Sequence, residues 1–169
     1  MVPPGSLWCR QGRGHTPGRK LLGTRERSAG VLQAVGSIDA HLERATTHAR
    51  IHFDLFAAKQ GRFGKRLIYG GHVISLARSL SFNGLANAFH IAGVNGGRHV
   101  APLFAGGTVF AWSEVLAKAE LPGRNDVGAL RLRTVATNDK PCGDFPFKTG
   151  DDYDPAVLLD LDYWVLMPR

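Results

Sequence analysis

The sequence predicts an α+β domain in which one buried helix is followed by antiparallel strands. Three observations carry that reading. A glycine pair, Gly70-Gly71, opens a segment in which Val73, Leu76, Ala77 and Leu80 recur at helical spacing. The other positions are mostly small (Ser75, Ser79, Ser81) with one charge at Arg78, so a helix over 71–85 is expected to be buried and closely approached by a sheet. Beyond it, four segments rich in β-branched and aromatic residues alternate with period two, the mark of strands with one covered face.

Before the helix the chain divides in composition. Residues 1–30 hold six Lys/Arg and one acid, Glu26, whereas the remainder is nearly balanced, so the net charge of +7 belongs mainly to the tail. That tail is rich in Gly, Pro and Arg and has no sustained period. Residues 1–35 are therefore expected to be a disordered basic tail and 36–169 the folded domain. A nucleic-acid partner would call for a basic patch on a folded face instead. Val31 to Val35 is a short candidate first strand. Ser37 can cap a helix running through Leu42 and Ala45, with Asp39 in its first turn.

After the helix, Phe89 to Val94 is an apolar run bounded by Asn87 and Asn95. Over 108–116, Val109, Ala111, Ser113 and Val115 share one face and Phe110, Trp112 and Glu114 the other. Over 129–136, Leu130, Leu132 and Thr134 oppose Arg131 and Arg133. Over 156–167, Leu159, Leu161, Tyr163 and Val165 oppose Asp160, Asp162 and Trp164. Pro122-Gly123 and the stretch 139–154 read as turn and loop. No run of 18 apolar residues exists, so neither a membrane span nor a membrane partner is expected. Cys9 and Cys142 suggest neither a disulfide framework nor a metal site, and a cytoplasmic location is expected.

The chemistry-bearing residues lie between Ile51 and Gly71. His52 precedes Asp54 by two, a basic turn follows with Arg62, Lys65 and Arg66, and then comes the glycine pair. The first N–H groups of a helix have no intrahelical partner and carry partial positive charge, and glycine lets a ligand oxygen reach them. A plain glycine turn is the competing reading of Gly70 and Gly71. The spacing of His48 and His52 is i, i+4, but no third ligand accompanies them, and no metal is expected.

The order His52-x-Asp54, Gly61-Arg62-Phe63-Gly64, then Gly70-Gly71 and a buried helix resembles the MaoC-like hydratases of the hot-dog fold. The likeness continues through Gly96 to Pro102, Phe104 to Thr108, Ala111 to Leu116, Asp126 to Arg133, Pro155 to Val157 and Asp162 to Arg169. It runs from about Arg50 to the end and is similar to the C-terminal half of a subfamily that usually carries two hot-dog repeats. It implies an antiparallel sheet wrapped around the central helix. It also implies a hydro-lyase of the enoyl-CoA hydratase type, adding water to or removing it from a branched dicarboxylic acyl-CoA thioester. The alternative is a non-catalytic hot-dog half that binds acyl-CoA or pairs with a catalytic partner. A homodimer, or pairing with another hot-dog unit, is implied, with no cofactor beyond the coenzyme A of the substrate.

Under that resemblance His52 is the catalytic base. Thr47 stands five residues before it, where the wider family has aspartate, and can hydrogen-bond the water. Asp54 would orient the imidazole or hold a turn. The N–H groups of Gly70 and Gly71 would receive the enolate oxygen. Tyr69, where many members have histidine, would donate to substrate or pack. Arg62, Lys65 and Arg66 would contact coenzyme A phosphates, or form a solvated loop. Arg98 would meet a substrate carboxylate or a neighbouring subunit. His48, His72, His90 and His99 are read first as structural, although His99 lies in the second matching block.

Overall fold

A computed structural model of the chain describes residues 27–32, as backbone, and 48–169. Its strands are β1 (Arg27–Leu32), β2 (His90–His99), β3 (Val109–Glu120), β4 (Val127–Asn138), β5 (Lys148–Thr149), β6 (Asp152–Tyr153) and β7 (Val157–Pro168). Five form one antiparallel sheet in the order β1-β3-β4-β7-β2, and β5 and β6 make a separate small hairpin. A 3-10 turn, Arg50–His52, and a short helix, Leu55–Lys59, precede the central helix, Gly70–Leu80. This is the hot-dog arrangement, a sheet curled around one helix. The first strand lies at Arg27–Leu32, not at 31–35, so the sheet begins inside the segment read as tail. The expected helix after Ser37 falls outside the described residues.

The central helix forms because its covered face carries residues small enough for the sheet. Ala77 is 0% exposed and Val73 is buried beside it. They meet Val109 and Ala111 of β3, Leu130 and Leu132 of β4, and Leu159, Leu161, Tyr163 and Val165 of β7 in one apolar cluster. The alternation read from the sequence therefore sets which face of each strand meets the helix. Beneath the helix three buried hydroxyls run across the sheet: Ser113 Oγ lies 2.8 Å from Thr134 Oγ1, and Thr134 Oγ1 lies 3.1 Å from Tyr163 Oη. Their mutual hydrogen bonds offset the cost of burying polar groups in an apolar layer.

The helix stops at Leu80 rather than running to Leu85. Ser81 Oγ donates to the Arg78 carbonyl at 2.6 Å and its own N–H bonds the same carbonyl, so the serine competes with the helical ladder. A separate short turn, Phe82–Leu85, follows, with Phe82 63% exposed.

Both faces of the sheet are covered at its middle. The stretch 139–154 folds back over the outer face, where Trp112, Val135, Cys142 and Val157 are buried against Phe110, Phe145, Phe147 and Tyr153. Trp112 Nε1 donates to the Pro146 carbonyl at 3.0 Å, and Thr137 Oγ1 donates to the Lys140 carbonyl at 2.6 Å. Toward β2 the outer face turns polar, with Arg131 paired to Asp162 at 2.6 Å and Arg133 to Asp160 at 3.3 Å. β2 is exposed along its whole length and runs to His99, five residues past the expected end at Val94. Its Gly93, Gly96 and Gly97 hide the strand from any period-two test, and two irregularities break its register with β7.

Ala77 is fully buried between the helix and the sheet, so Ala77→Leu is expected to cost about 1–3 kcal/mol of stability through overpacking. Urea unfolding followed by tryptophan fluorescence measures it.

Candidate active site

The site is assembled where the chain enters the central helix. After the basic turn, Leu67 and Ile68 bond to two different segments. Leu67 N–H reaches the Ile51 carbonyl at 3.2 Å, Ile68 N–H reaches the Leu103 carbonyl at 2.9 Å, and Leu67 forms a bridge with Phe104. Tyr69 then takes an extended conformation as the residue capping the helix. The His72 and Val73 N–H groups both reach the Tyr69 carbonyl, at 3.0 and 3.4 Å. The Gly70 and Gly71 N–H groups lie ahead of that first bond, at the positive end of the helix dipole.

His52 is half-buried at the end of the 3-10 turn, and its Nδ1 lies 2.8 Å from the Leu67 carbonyl. A carbonyl only accepts, so Nδ1 carries a proton, and in the neutral ring the lone pair is on Nε2. The Tyr69 ring stands edge-on to the imidazole with centroids 5.7 Å apart, and His72 stands 6.0 Å from Tyr69 on another side.

The glycine pair is required by close approach, not by a left-handed backbone. A Cβ on Gly71 would lie 2.4 Å from Tyr69 Cε1, and one on Gly70 would lie 2.7 Å from His99 Nε2. Tyr69 therefore bridges His52 and the start of the helix, and His99 covers the first glycine. His99 was read as structural; its signal was its place in the second matching block, and only the fold brings it to Gly70.

Other candidates go elsewhere. Asp54 does not touch the imidazole. It caps the short helix, accepting the Ala57 N–H on Oδ1 at 3.0 Å and Arg50 Nη2 on Oδ2 at 2.6 Å. The Ala57 N–H first, and Arg50 with it, hold its carboxyl below the usual value of 3.8. The Leu67 carbonyl, not Asp54, orients His52. Lys65 Nζ sits 4.1 Å above the Phe104 ring and Arg62 5.4 Å above Phe63, both side chains exposed on the turn. Arg66 turns inward, and its Nη1 donates to the His52 carbonyl at 2.9 Å. Arg98 leaves β2 on the face opposite His99 and lies 5.8 Å above the Tyr153 ring, away from the glycine pair. Thr47 lies outside the described residues. Cys142 is buried under the outer loop, where burial pushes its thiol up to about 11, far from nucleophilic use. Among the described residues no group of three His, Cys, Asp or Glu side chains gathers as a metal site.

A histidine with one ring nitrogen held, near the glycine-bearing N-terminus of a helix, suits one kind of chemistry. Nε2 moves a proton while helix N–H groups receive negative charge developing on a carbonyl oxygen. The fold is that of a hot-dog unit, and the comparisons with known proteins show what the chain is similar to. No family model matches it. The chain is similar to β-methylmalyl-CoA dehydratase of Chloroflexus aurantiacus, 66% identical over 122 residues that are 72% of this chain and 35% of that protein. It is also similar to mesaconyl-CoA hydratase of Cereibacter sphaeroides, 60% identical over 126 residues that are 72% of this chain and 34% of that protein. The chain thus spans about a third of the length of the curated relatives it matches. Among solved structures, a MaoC-domain dehydratase from Chloroflexus aurantiacus superposes with a TM-score of 0.75 at 55% identity, covering 84% of this chain and 42% of that one. A Mycobacterium tuberculosis protein with a double hot-dog fold gives a TM-score of 0.62 at 20% identity, covering 88% of this chain and 43% of that one, a likeness of fold alone.

The placement of Asp54 sets a pH dependence. Its folded pKa lies below its unfolded one, so its contribution is present above the usual carboxylate value and fades as pH falls through the folded value. In urea unfolding, Asp54→Ala is expected to be less stable than the native chain at neutral pH. The gap should narrow below pH about 4.

Proposed function

We propose that this chain is the hydratase unit of a hydro-lyase acting on a branched dicarboxylic acyl-CoA thioester, of the mesaconyl-CoA and β-methylmalyl-CoA type. The observation that carries the reading is the His52 imidazole, its Nδ1–H tied to the Leu67 carbonyl, beside a helix that opens on Gly70 and Gly71. The substrate class comes from the two curated relatives, which bear those substrates in their names.

In the hydration direction the thioester oxygen lies against the Gly70 and Gly71 N–H groups. His52 Nε2 takes a proton from water as the water oxygen bonds to the β-carbon. The double-bond electrons pass to the α-carbon and the thioester oxygen, where the helix N-terminus stabilises the enolate. The imidazolium then gives its proton to the α-carbon. Water is added with no net change in the protein, and dehydration is the reverse. Thr47, five residues before His52, supplies a hydroxyl to align the water, and the Tyr69 hydroxyl donates to the substrate. Arg62 and Lys65, exposed on the turn, are the groups left for coenzyme A phosphates. The reading invokes no metal and no cofactor beyond the coenzyme A that the substrate carries. A cytoplasmic setting is part of it.

A second reading, a hot-dog half that binds or pairs without catalysis, is favoured by β2. That edge strand is ten residues long and exposed throughout, with Ile91 49% and Val94 62% exposed. Open edges invite another strand. In either reading we assign β2 the role of pairing with a second hot-dog unit, either a copy of this chain or a separate one.

The test is incubation of the purified chain with mesaconyl-CoA, following loss of the enoyl-thioester absorbance. Hydration is expected. His52→Ala should lower kcat by at least about a hundredfold while free coenzyme A binding stays within about twofold. Near-native turnover in folded His52→Ala refutes the catalytic assignment. Thioester binding with no hydration by the native chain selects the second reading.

A further inference from the structure

We infer that Arg66 is a positioning residue for His52 rather than a ligand of coenzyme A phosphates, an inference that rests on the hydratase reading above. Arg66 belongs by sequence to the same basic turn as Arg62 and Lys65, but the fold separates it from them. Those two are exposed and lie over Phe63 and Phe104. Arg66 is half-buried, and its Nη1 donates to the His52 main-chain carbonyl at 2.9 Å.

That bond completes a three-point clamp. The Ile51 carbonyl accepts from Leu67 N–H at 3.2 Å, the His52 carbonyl accepts from Arg66, and the Leu67 carbonyl accepts from His52 Nδ1 at 2.8 Å. Main chain and ring of His52 are thus both referenced to the same two residues, Arg66 and Leu67. The ring alone could keep its hydrogen bond while the turn beneath it slid, or the turn could hold while the ring rotated. With both fixed, Nε2 has one position relative to the helix that begins three residues after Leu67. Burial does not anchor the 3-10 turn, since none of Arg50, Ile51 and His52 is buried, so its place against Leu67 rests on hydrogen bonds. Arginine suits the task because its charge strengthens the bond to a neutral carbonyl and its planar head reaches across the loop without losing the proton. A misplacement of about 1 Å at a reacting group can cost about a hundredfold in rate, so a bond that touches no substrate can still govern kcat.

The experiment compares Arg66→Met, Arg66→Lys and the native chain. Steady-state hydration of mesaconyl-CoA gives kcat and KM, and calorimetry gives the affinity for free coenzyme A. Arg66→Met is expected to lower kcat by about tenfold or more with KM and coenzyme A affinity within about twofold, because ground-state binding is untouched. Arg66→Lys, which keeps a charged donor, should recover most of the lost kcat. Nitrogen-15 spectra of labelled histidine give a second readout. The native His52 should show one tautomer with the proton on Nδ1, and Arg66→Met a mixture.

A rise of about tenfold in KM or in the coenzyme A dissociation constant with kcat held would make Arg66 a phosphate ligand and overturn the proposal. So would a folded Arg66→Met with native kcat. If Arg66→Met does not fold, Arg66→Gln is put through the same comparison of kcat against KM, with the same outcomes deciding. If the native chain hydrates nothing, the hydratase reading fails on that result. The clamp is then judged by the spectra, where an unchanged Nδ1–H tautomer in Arg66→Met overturns it.

Discussion

The contact between the central helix and the sheet governs the rest of the molecule. Ala77, with only a methyl group, is fully buried in the cluster shared with β3, β4 and β7, so the helix packs on the sheet with no room to spare there. Interiors are packed too densely for such an element to shift by small amounts. Its N-terminus is therefore held at the rim of the sheet, within reach of the end of β2. There the same economy of side chain recurs, and Gly70 and Gly71 let the rings of His99 and Tyr69 rest on the helix start. Small residues along 70–81 thus serve two ends, close packing in the middle and room for two rings at the tip.

Much of this was legible in the amino-acid order. The period-two faces of 109–116, 129–136 and 156–167 named the inner residues because each strand has one face on the helix, and alternation records that directly. The glycine pair marked the helix start, and His52 stood out as the candidate base. Less could be read where a residue's task depends on contacts distant in sequence. Trp112 alternates as an outward residue and is nonetheless buried, because 139–154, without a period of its own, folds back across it. β2 escaped beyond Val94 because glycines carry no pattern. Asp54 and Arg66 show the same limit for the site. Both are charged residues near a histidine, and sequence offers no means of telling a helix cap from a ring partner, or a clamp from a phosphate ligand. His99 comes back to Gly70 only after the whole helix and β2 have intervened in the chain.

His52 shows how local and distant constraints combine. Its tautomer depends on a carbonyl fifteen residues onward, and that carbonyl is held because the neighbouring Ile68 bonds to Leu103, just beyond β2. The imidazole is thus referenced to the sheet through hydrogen bonds of the main chain, which almost any residue could supply. The identity of the residues at 67 and 68 is free to answer to packing, and the chemistry asks for specific side chains at few positions.

The covering of the outer face by 139–154 has a consequence for architecture. A half-covered sheet has two routes to a larger assembly, back to back through its outer surface or side by side through an edge. Here Trp112, Phe145 and Phe147 already close the middle of the outer surface with the chain's own loop, and the Arg131–Asp162 and Arg133–Asp160 pairs make its remainder polar. Lateral growth is left, and of the two edge strands, β1 and β2, the longer is β2. A second unit joined there would extend the sheet rather than stack on it, and would bring its own helix alongside this one on the same concave side, so that two such tips share one continuous cleft.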